Sequence, residues 1–375
     1  MTVLRELRGL TEDLLNPTLA EWKADGGKVV GFFCCYVPEE ILHAAGIMPY
    51  RLRAPHCTQT SSADVYMSHF NCSYVRSCLQ FIYEGRFDFI DGYVFTSSCD
   101  QARRLYDVLR ETTNGRFMHF LSVPHKVSQS SIAYYRDELA RFREKLGDHF
   151  GVRVRDVDLQ RSIEVYNETR KHLRALYQLR WADSPAITGT DVLNAMLAGT
   201  ALPREHYNQL LVRLLAELQG TERVPDYRAR LMIAGGGGCD DPAFIQTMEE
   251  MGGLVAGDSL CWGSRYFWQE TEALEDDPLL ALAAAYLERP ACANMVDKVA
   301  ERSDFIKEMV RCSNADGVVF QRLRYCDLWG GQLLDVEHKM RQSGIPLLTL
   351  EREYGTSSAG QLRTRIQAFL ETLGR

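Results

Sequence analysis

Two strings, one in each half of the chain, constrain the fold more than any other feature. Residues 91–100 read DGYVFTSSCD and residues 316–327 read DGVVFQRLRYCD. Each is Asp-Gly, an apolar strand, a short loop, then Cys-Asp opening a polar helix. A second pair of strings, GFFCCYVPEE at 31–40 and AGGGGCDDPA at 234–243, has a strand ending at Gly or Cys before a helix that starts with acidic residues. Short apolar runs alternating with helical periodicities are the signature of a parallel sheet covered by helices. The repetition predicts two such units related by duplication, with Cys99 and Cys326 in equivalent places.

Along the chain, Leu4, Leu7, Leu10, Leu14 and Leu15 fall at helical spacing, so residues 2–24 are expected to form an opening amphipathic helix. Strands are expected at Lys28–Cys34, Met48–Leu52, Phe89–Thr96 and Phe117–Val123. Pro38, the acidic pair Glu39 and Glu40, and Gly46 mark both ends of a helix between the first two. From about Ser130 to Gly220 helical periodicity dominates, broken near Ser184-Pro185 and at Pro203. The β/α rhythm then resumes, with strands near 231–234, 253–257, 317–321 and 346–350. The organisation expected is an N-terminal helical segment (1–27), a first α/β domain (28–129), a helical linking domain (130–225) and a second α/β domain (226–375).

A formal charge of −7 argues against a nucleic-acid footprint, which needs a basic face. No apolar run approaches the roughly 18 residues of a membrane span. The first 15 residues carry charges throughout, unlike a secretory signal. A reducing, cytoplasmic setting is therefore expected, in which the 11 cysteines serve as free thiols or ligands rather than disulfides.

The cysteines carry the chemistry. Cys34, Cys99 and Cys326 fall past expected strand ends, where open α/β sheets bind ligands. Cys72 sits at a helix start after Asn71, Cys261 follows a strand and its loop, and Cys292 follows Pro290 at the end of a helix. Helix N-termini favour thiolates, which iron–sulfur clusters require. Any one of these thiols is well explained by core packing; six in matching places are better explained by a shared ligand. Zinc fits less well, since close Cys-x-x-Cys pairs are absent. Cys35, Cys57, Cys78, Cys239 and Cys312 are assigned to packing, with Cys35 and Cys239 the least secure because they adjoin strand-end loops. The glycine-rich turn at 234–239 allows close backbone approach to a phosphate or cluster. No Walker-type ATP motif occurs. Arg265, beside Cys261, is either an anion-holding group or a satisfied surface residue. His43 and His125 read as structural, and Glu39 and Glu40 as ordinary acidic residues of a helix start.

The segments GFFCCYVPEEILHAAGIMPYRL, NCSYVRSCL, DGYVFTSSCDQARRLYDVLRE, DSLCWGSRYF, RPAC, DGVVFQRLRYCD and IPLLTLEREYGTSSAGQLRTRIQAFLE resemble, in this order, the benzoyl-CoA reductase and 2-hydroxyacyl-CoA dehydratase family, over about residues 28–373. The resemblance implies two Rossmann-like domains joined through a helical region. It implies cubane iron–sulfur clusters held by cysteine, with Cys34, Cys72 and Cys99 matching one set and Cys261, Cys292 and Cys326 a second. Either a single [4Fe-4S] cluster or a double cubane [8Fe-9S] is consistent with those positions. It further implies a homologous sister subunit or a homodimer, a partner ATPase with its own iron–sulfur centre that supplies a very low-potential electron, and a CoA-thioester substrate. The expected activity is that of an ATP-dependent CoA-thioester reductase, leaning to the benzoyl-CoA reductase type. The alternatives are a 2-hydroxyacyl-CoA dehydratase subunit, acting through a ketyl radical, and a stand-alone double-cubane reductase.

Overall fold

The computed structural model describes residues 2–113, 115–220, 224, 226–236, 239–272, 276–355 and 359–373. Among the described residues eight strands form two sheets, every pairing parallel. β1 (Lys28–Phe32), β2 (Ile47–Arg51), β3 (Gly92–Thr96) and β4 (Phe117–Leu121) lie in the order β2-β1-β3-β4. β5 (Ala229–Gly236), β6 (Gly253–Asp258), β7 (Gly317–Leu323) and β8 (Leu347–Arg352) lie in the order β6-β5-β7-β8. The fold is α/β with two Rossmann-like domains, and the second sheet repeats the topology of the first.

The Asp-Gly repeat has a physical cause. In the first sheet the Asp91 carboxylate accepts a hydrogen bond from the Val29 N–H (2.8 Å), and the Asp91 N–H donates to the Val29 carbonyl (2.8 Å). In the second, Asp316 makes the same two bonds with Arg230, at 2.7 and 2.8 Å. The aspartate thus pins the start of the central strand to its neighbour and sets the register, Val30 opposite Gly92 and Leu231 opposite Gly317. The glycine is required by packing, since a Cβ at Gly92 would meet Phe117 and one at Gly317 would meet Phe369.

Between the sheets run the helices Gln129–Phe150, Asp156–Trp181, Gly189–Ala198 and Arg204–Leu218. The helix Asp156–Trp181 packs on Arg204–Leu218, and Gln129–Phe150 packs on the second-domain helix Pro278–Glu288. A single apolar core joins both sheets through these helices, from Val30 and Phe32 through Leu176 and Leu211 to Ile233 and Val255. The opening helix is not continuous. It divides into Thr2–Glu12 and Pro17–Ala24, because Asn16 caps the second helix by accepting from the Leu19 N–H (2.9 Å) and Pro17 cannot extend the first. The helix Thr2–Glu12 lies on Gly189–Ala198 and Arg204–Leu218.

Glu39 and Glu40 open the helix after β1, yet neither reaches water: they are 1% and 0% exposed. Glu39 pairs with Arg204 (2.6 Å), and Glu40 pairs with Arg170 and accepts from the Tyr286 hydroxyl (2.6 Å). Desolvation on this scale is tolerable only with partners at hand. The two pairs bolt the helical region to the loop that carries Cys34 and Cys35.

Candidate functional site

Each of the six predicted cysteines sits where an element begins or ends. Cys34 lies two residues past β1. Cys99 and Cys326 are the N-cap residues of the helices Asp100–Thr112 and Asp327–Gln342, which follow the third strand in order of sequence in each sheet. The equivalence expected from the repeat is therefore present in the topology. Cys72 caps the helix Ser73–Tyr83, Cys261 lies between β6 and the short helix Ser264–Phe267, and Cys292 follows the helix Pro278–Glu288. The Cys99 sulfur accepts from the Ala102 N–H at 3.3 Å.

These thiols gather from both halves of the chain. Cys72, Cys99 and Cys326 pack into one apolar cluster, Cys34, Cys261 and Cys292 into another, and Cys292 and Cys326 meet in a third. Two thiols assigned to packing by sequence belong to the same group. Cys239 lies 3.2 Å from Cys261, sulfur to sulfur, and Cys35 bridges Cys34 and Cys261. Among the described residues no three His, Cys, Asp or Glu side chains form the ligand shell of a single ion, and all 11 cysteines are free thiols. The remaining three lie in other surroundings: Cys57 donates to the Gln59 carbonyl, Cys78 is fully buried in the first-domain core, and Cys312 ends the helix Val299–Cys312.

Hydrogen bonding and burial divide the thiols into two electrostatic types. The Cys34 thiol is brought down to about 6, first by the hydrogen bond from Cys35 and, against the opposing effect of burial, by the Ser98 hydroxyl donating at 3.1 Å. Cys261 is lowered by hydrogen bonds from Cys239 and Cys35, with Arg265 and Arg51 adding positive potential. Cys72 and Cys326 are pushed up to about 12 by burial, and Cys99 and Cys292 are raised for the same reason. Surroundings that raise four thiols by burial penalise accumulated negative charge unless cations compensate it.

The loop bearing Cys261 is held by one carboxylate. Asp258 ends β6 and is 4% exposed. One of its oxygens accepts from Arg180 (2.8 Å) and the Tyr177 hydroxyl (2.7 Å); the other accepts from the backbone N–H groups of Ser264 (2.8 Å) and Leu260 (3.2 Å). Gly263 is required there, because a Cβ would overlap this carboxylate. Arg265 is buried, not a surface residue, and donates to the Ala291 carbonyl (3.2 Å). Arg302 donates to the carbonyls of Cys292 (2.9 Å) and Met295 (2.6 Å). Two arginines thus shape the Cys292 loop. Around the thiols, several buried polar atoms have no partner: the Tyr36 hydroxyl, Arg265 Nε, Trp262 Nε1 and both amide atoms of Asn294. His43 bonds Ser162 (2.8 Å) and Glu205 (3.2 Å), and His125 lies 3.3 Å from the Asn294 carbonyl. In the glycine-rich turn, Gly235 takes φ +105° and Cys239 joins the thiol group; Gly237 and Gly238 lie outside the described residues. A groove of about 920 Å³ along Asp137–Asp156 contains none of the cysteines.

The fold and the thiol-lined site together define a two-domain α/β protein with thiols gathered from both halves of the chain. Residues 34–373 match the family model described as 2-hydroxyglutaryl-CoA dehydratase, D-component, and the chain belongs to that family. It is 30% identical over 333 residues to one of the subunits of benzoyl-CoA reductase from Thauera aromatica, covering 87% of this chain and 86% of that protein. It is 24% identical over 369 residues to the (R)-phenyllactyl-CoA dehydratase beta subunit of Clostridium sporogenes, covering 98% of each. It is also 24% identical over 371 residues to the lactoyl-CoA dehydratase beta subunit of Anaerotignum propionicum, again covering 98% of each. These relatives are named as subunits of a CoA-thioester reductase and of CoA-thioester dehydratases, which supports an enzyme. No helix among the described residues is long and apolar enough to cross a membrane.

Proposed function

We propose that this chain is an iron–sulfur subunit of an ATP-dependent, low-potential CoA-thioester reductase, of the benzoyl-CoA reductase type. The observation that carries the reading is the gathering of Cys34, Cys72, Cys99, Cys261, Cys292 and Cys326 from both halves of the chain into adjoining packed clusters, with no disulfide among them. The residues fit such a group in kind and in surroundings. Thiolates are its ligands, and the partnerless buried donors of Tyr36, Arg265, Trp262 and Asn294 are what an anionic sulfide-containing group would use. When bound, the cluster would supply one-electron chemistry. The chain's own part is to hold it with the six cysteines, to fix the Cys261 turn through Asp258, and to keep the Cys292 loop in place through Arg265 and Arg302. The absence of a Walker motif assigns ATP hydrolysis to a separate activator protein, and a homologous sister chain makes up the rest of the catalytic assembly. The benzoyl-CoA lean rests on the 30% identity to the reductase relative. A second reading, a 2-hydroxyacyl-CoA dehydratase subunit, is favoured by the end-to-end alignment with the dehydratase beta subunits.

Anaerobically purified protein is expected to hold about four iron atoms per chain for one cubane or about eight for two, with similar acid-labile sulfide. Cys99→Ala and Cys326→Ala should each lower that content. Full loading in both variants would remove these residues from the ligand set, and iron-free wild type would sink the reading. With an activator and ATP, consumption of benzoyl-CoA against dehydration of a 2-hydroxyacyl-CoA separates the two functions.

A further inference from the structure

We infer that Arg265 is a positioning residue that sets the reduction potential of the group held by the thiolates; this rests on the iron–sulfur reading above. Arg265 is 4% exposed, in the short helix Ser264–Phe267 that follows Cys261. Several other buried arginines have carboxylates, Arg180 with Asp258, Arg204 with Glu39 and Arg170 with Glu40, whereas Arg53, Arg230 and Arg302 donate to backbone carbonyls. Among the described residues Arg265 forms no ion pair with a carboxylate. Its single hydrogen bond is to the Ala291 carbonyl, and its Nε has no partner. The groups that act on it most strongly are the thiols of Cys292, Cys261 and Cys35 and the phenol of Tyr36. Tyr36 is 1% exposed, its hydroxyl is also partnerless, and it too faces Cys292, Cys35 and Cys34.

A guanidinium withdrawn from water without an anion is expensive. Here Cys261, four residues earlier, and Cys292, next to the Ala291 carbonyl that Arg265 bonds, put the thiolate-held group within reach as that anion. The side chain cannot escape to solvent, because Asp258 grips the Ser264 N–H one residue earlier and the guanidinium lies 5.4 Å from the Trp329 ring centroid. A fixed positive charge beside the site stabilises the reduced form, which carries one more negative charge, over the oxidised form. It therefore raises the potential, so that an electron from a low-potential donor moves into this chain and stays there.

The test is an anaerobic redox titration, followed by electron paramagnetic resonance, of wild type, Arg265→Gln and Arg265→Lys, with iron and sulfide measured on each. Arg265→Gln is expected to lower the ratio of reduced to oxidised centres at a fixed potential by about tenfold, a shift of about 59 mV for a one-electron couple. Arg265→Lys, which keeps the charge, should recover at least half of the shift. A fully loaded Arg265→Gln protein that titrates at the wild-type potential, or an Arg265→Lys protein no better than it, overturns the inference. Should Arg265→Gln lose its iron, the melting temperature of the iron-free protein decides. An unchanged or raised value supports a cation that needs the bound group as its anion, and a lowered value overturns it. Iron-free wild type would instead refute the iron–sulfur reading itself.

Discussion

Replacing Asp258 by Asn tests how the Cys261 turn is held. The carboxylate satisfies four donors, two on each oxygen: Arg180 and Tyr177 on one side, Ser264 and Leu260 N–H on the other. An amide of the same shape offers one acceptor oxygen and one NH₂. Either orientation leaves two buried donors facing two more hydrogens, at about 1–3 kcal/mol for each orphaned donor. Arg180, 1% exposed and already lacking a partner at Nε, also loses its counter-charge. Removing one member of a buried pair costs about 3–5 kcal/mol, and the two routes agree. Urea unfolding of the iron-free protein, read by tryptophan fluorescence, should show that loss, and the holoprotein should shed iron faster. The double variant Asp258→Asn with Arg180→Met removes the stranded charge and should restore at least half of the stability. A loss below about 1 kcal/mol, or a double variant that merely adds the two single costs, would refute the argument.

Burial brings His119 down to about 4, with Lys145 adding to the effect; its ring lies neutral against Phe142 at 4.9 Å. Its folded value is below the unfolded one of about 6.5, so its contribution, up to about 3 kcal/mol, is complete above pH ~6.5 and lost as pH falls towards ~4. His119→Phe should flatten the stability–pH curve across that window, and an unchanged slope would exclude the histidine as its source. Gly235→Ala should destabilise by about 1–3 kcal/mol, because φ is +105° and a Cβ would strike the Gln321 carbonyl; thermal melting of the iron-free protein measures it. Asp91→Ala and Asp316→Ala each strand a strand N–H and should cost about 1–3 kcal/mol; an unaffected Asp316→Ala protein would show that the repeat is not a structural clamp.

The repeated β/α unit and the Cys99–Cys326 correspondence were legible because Asp-Gly and Cys-Asp bracket a buried strand in both halves, a local pattern that survives in sequence. Cys35 and Cys239 were not legible as part of the site. A thiol beside a strand end looks the same whether it fills a core or meets another thiol from a different strand. Glu39 and Glu40 carried an equally misleading signal. Acidic residues at a helix start are ordinary, and nothing local reveals arginines arriving from helices more than a hundred residues later. Arg265 fits an anion-holding role and a surface role equally in sequence, since burial is decided by the fold and not by sequence neighbours. The division of the first helix was visible at Asn16-Pro17, where leucine spacing outweighed a cap and a proline.

Cys34, Cys35, Cys72 and Cys99 leave the ribosome long before Cys239, Cys261, Cys292 and Cys326 do. A nascent chain therefore displays half of the thiol group with nothing to close it. On the iron–sulfur reading proposed above, maturation has to wait for the C-terminal sheet, and the captured group acts as a clasp between the two halves, adding its binding energy to their association. Oxygen reaching the unfinished thiols is the hazard of that interval.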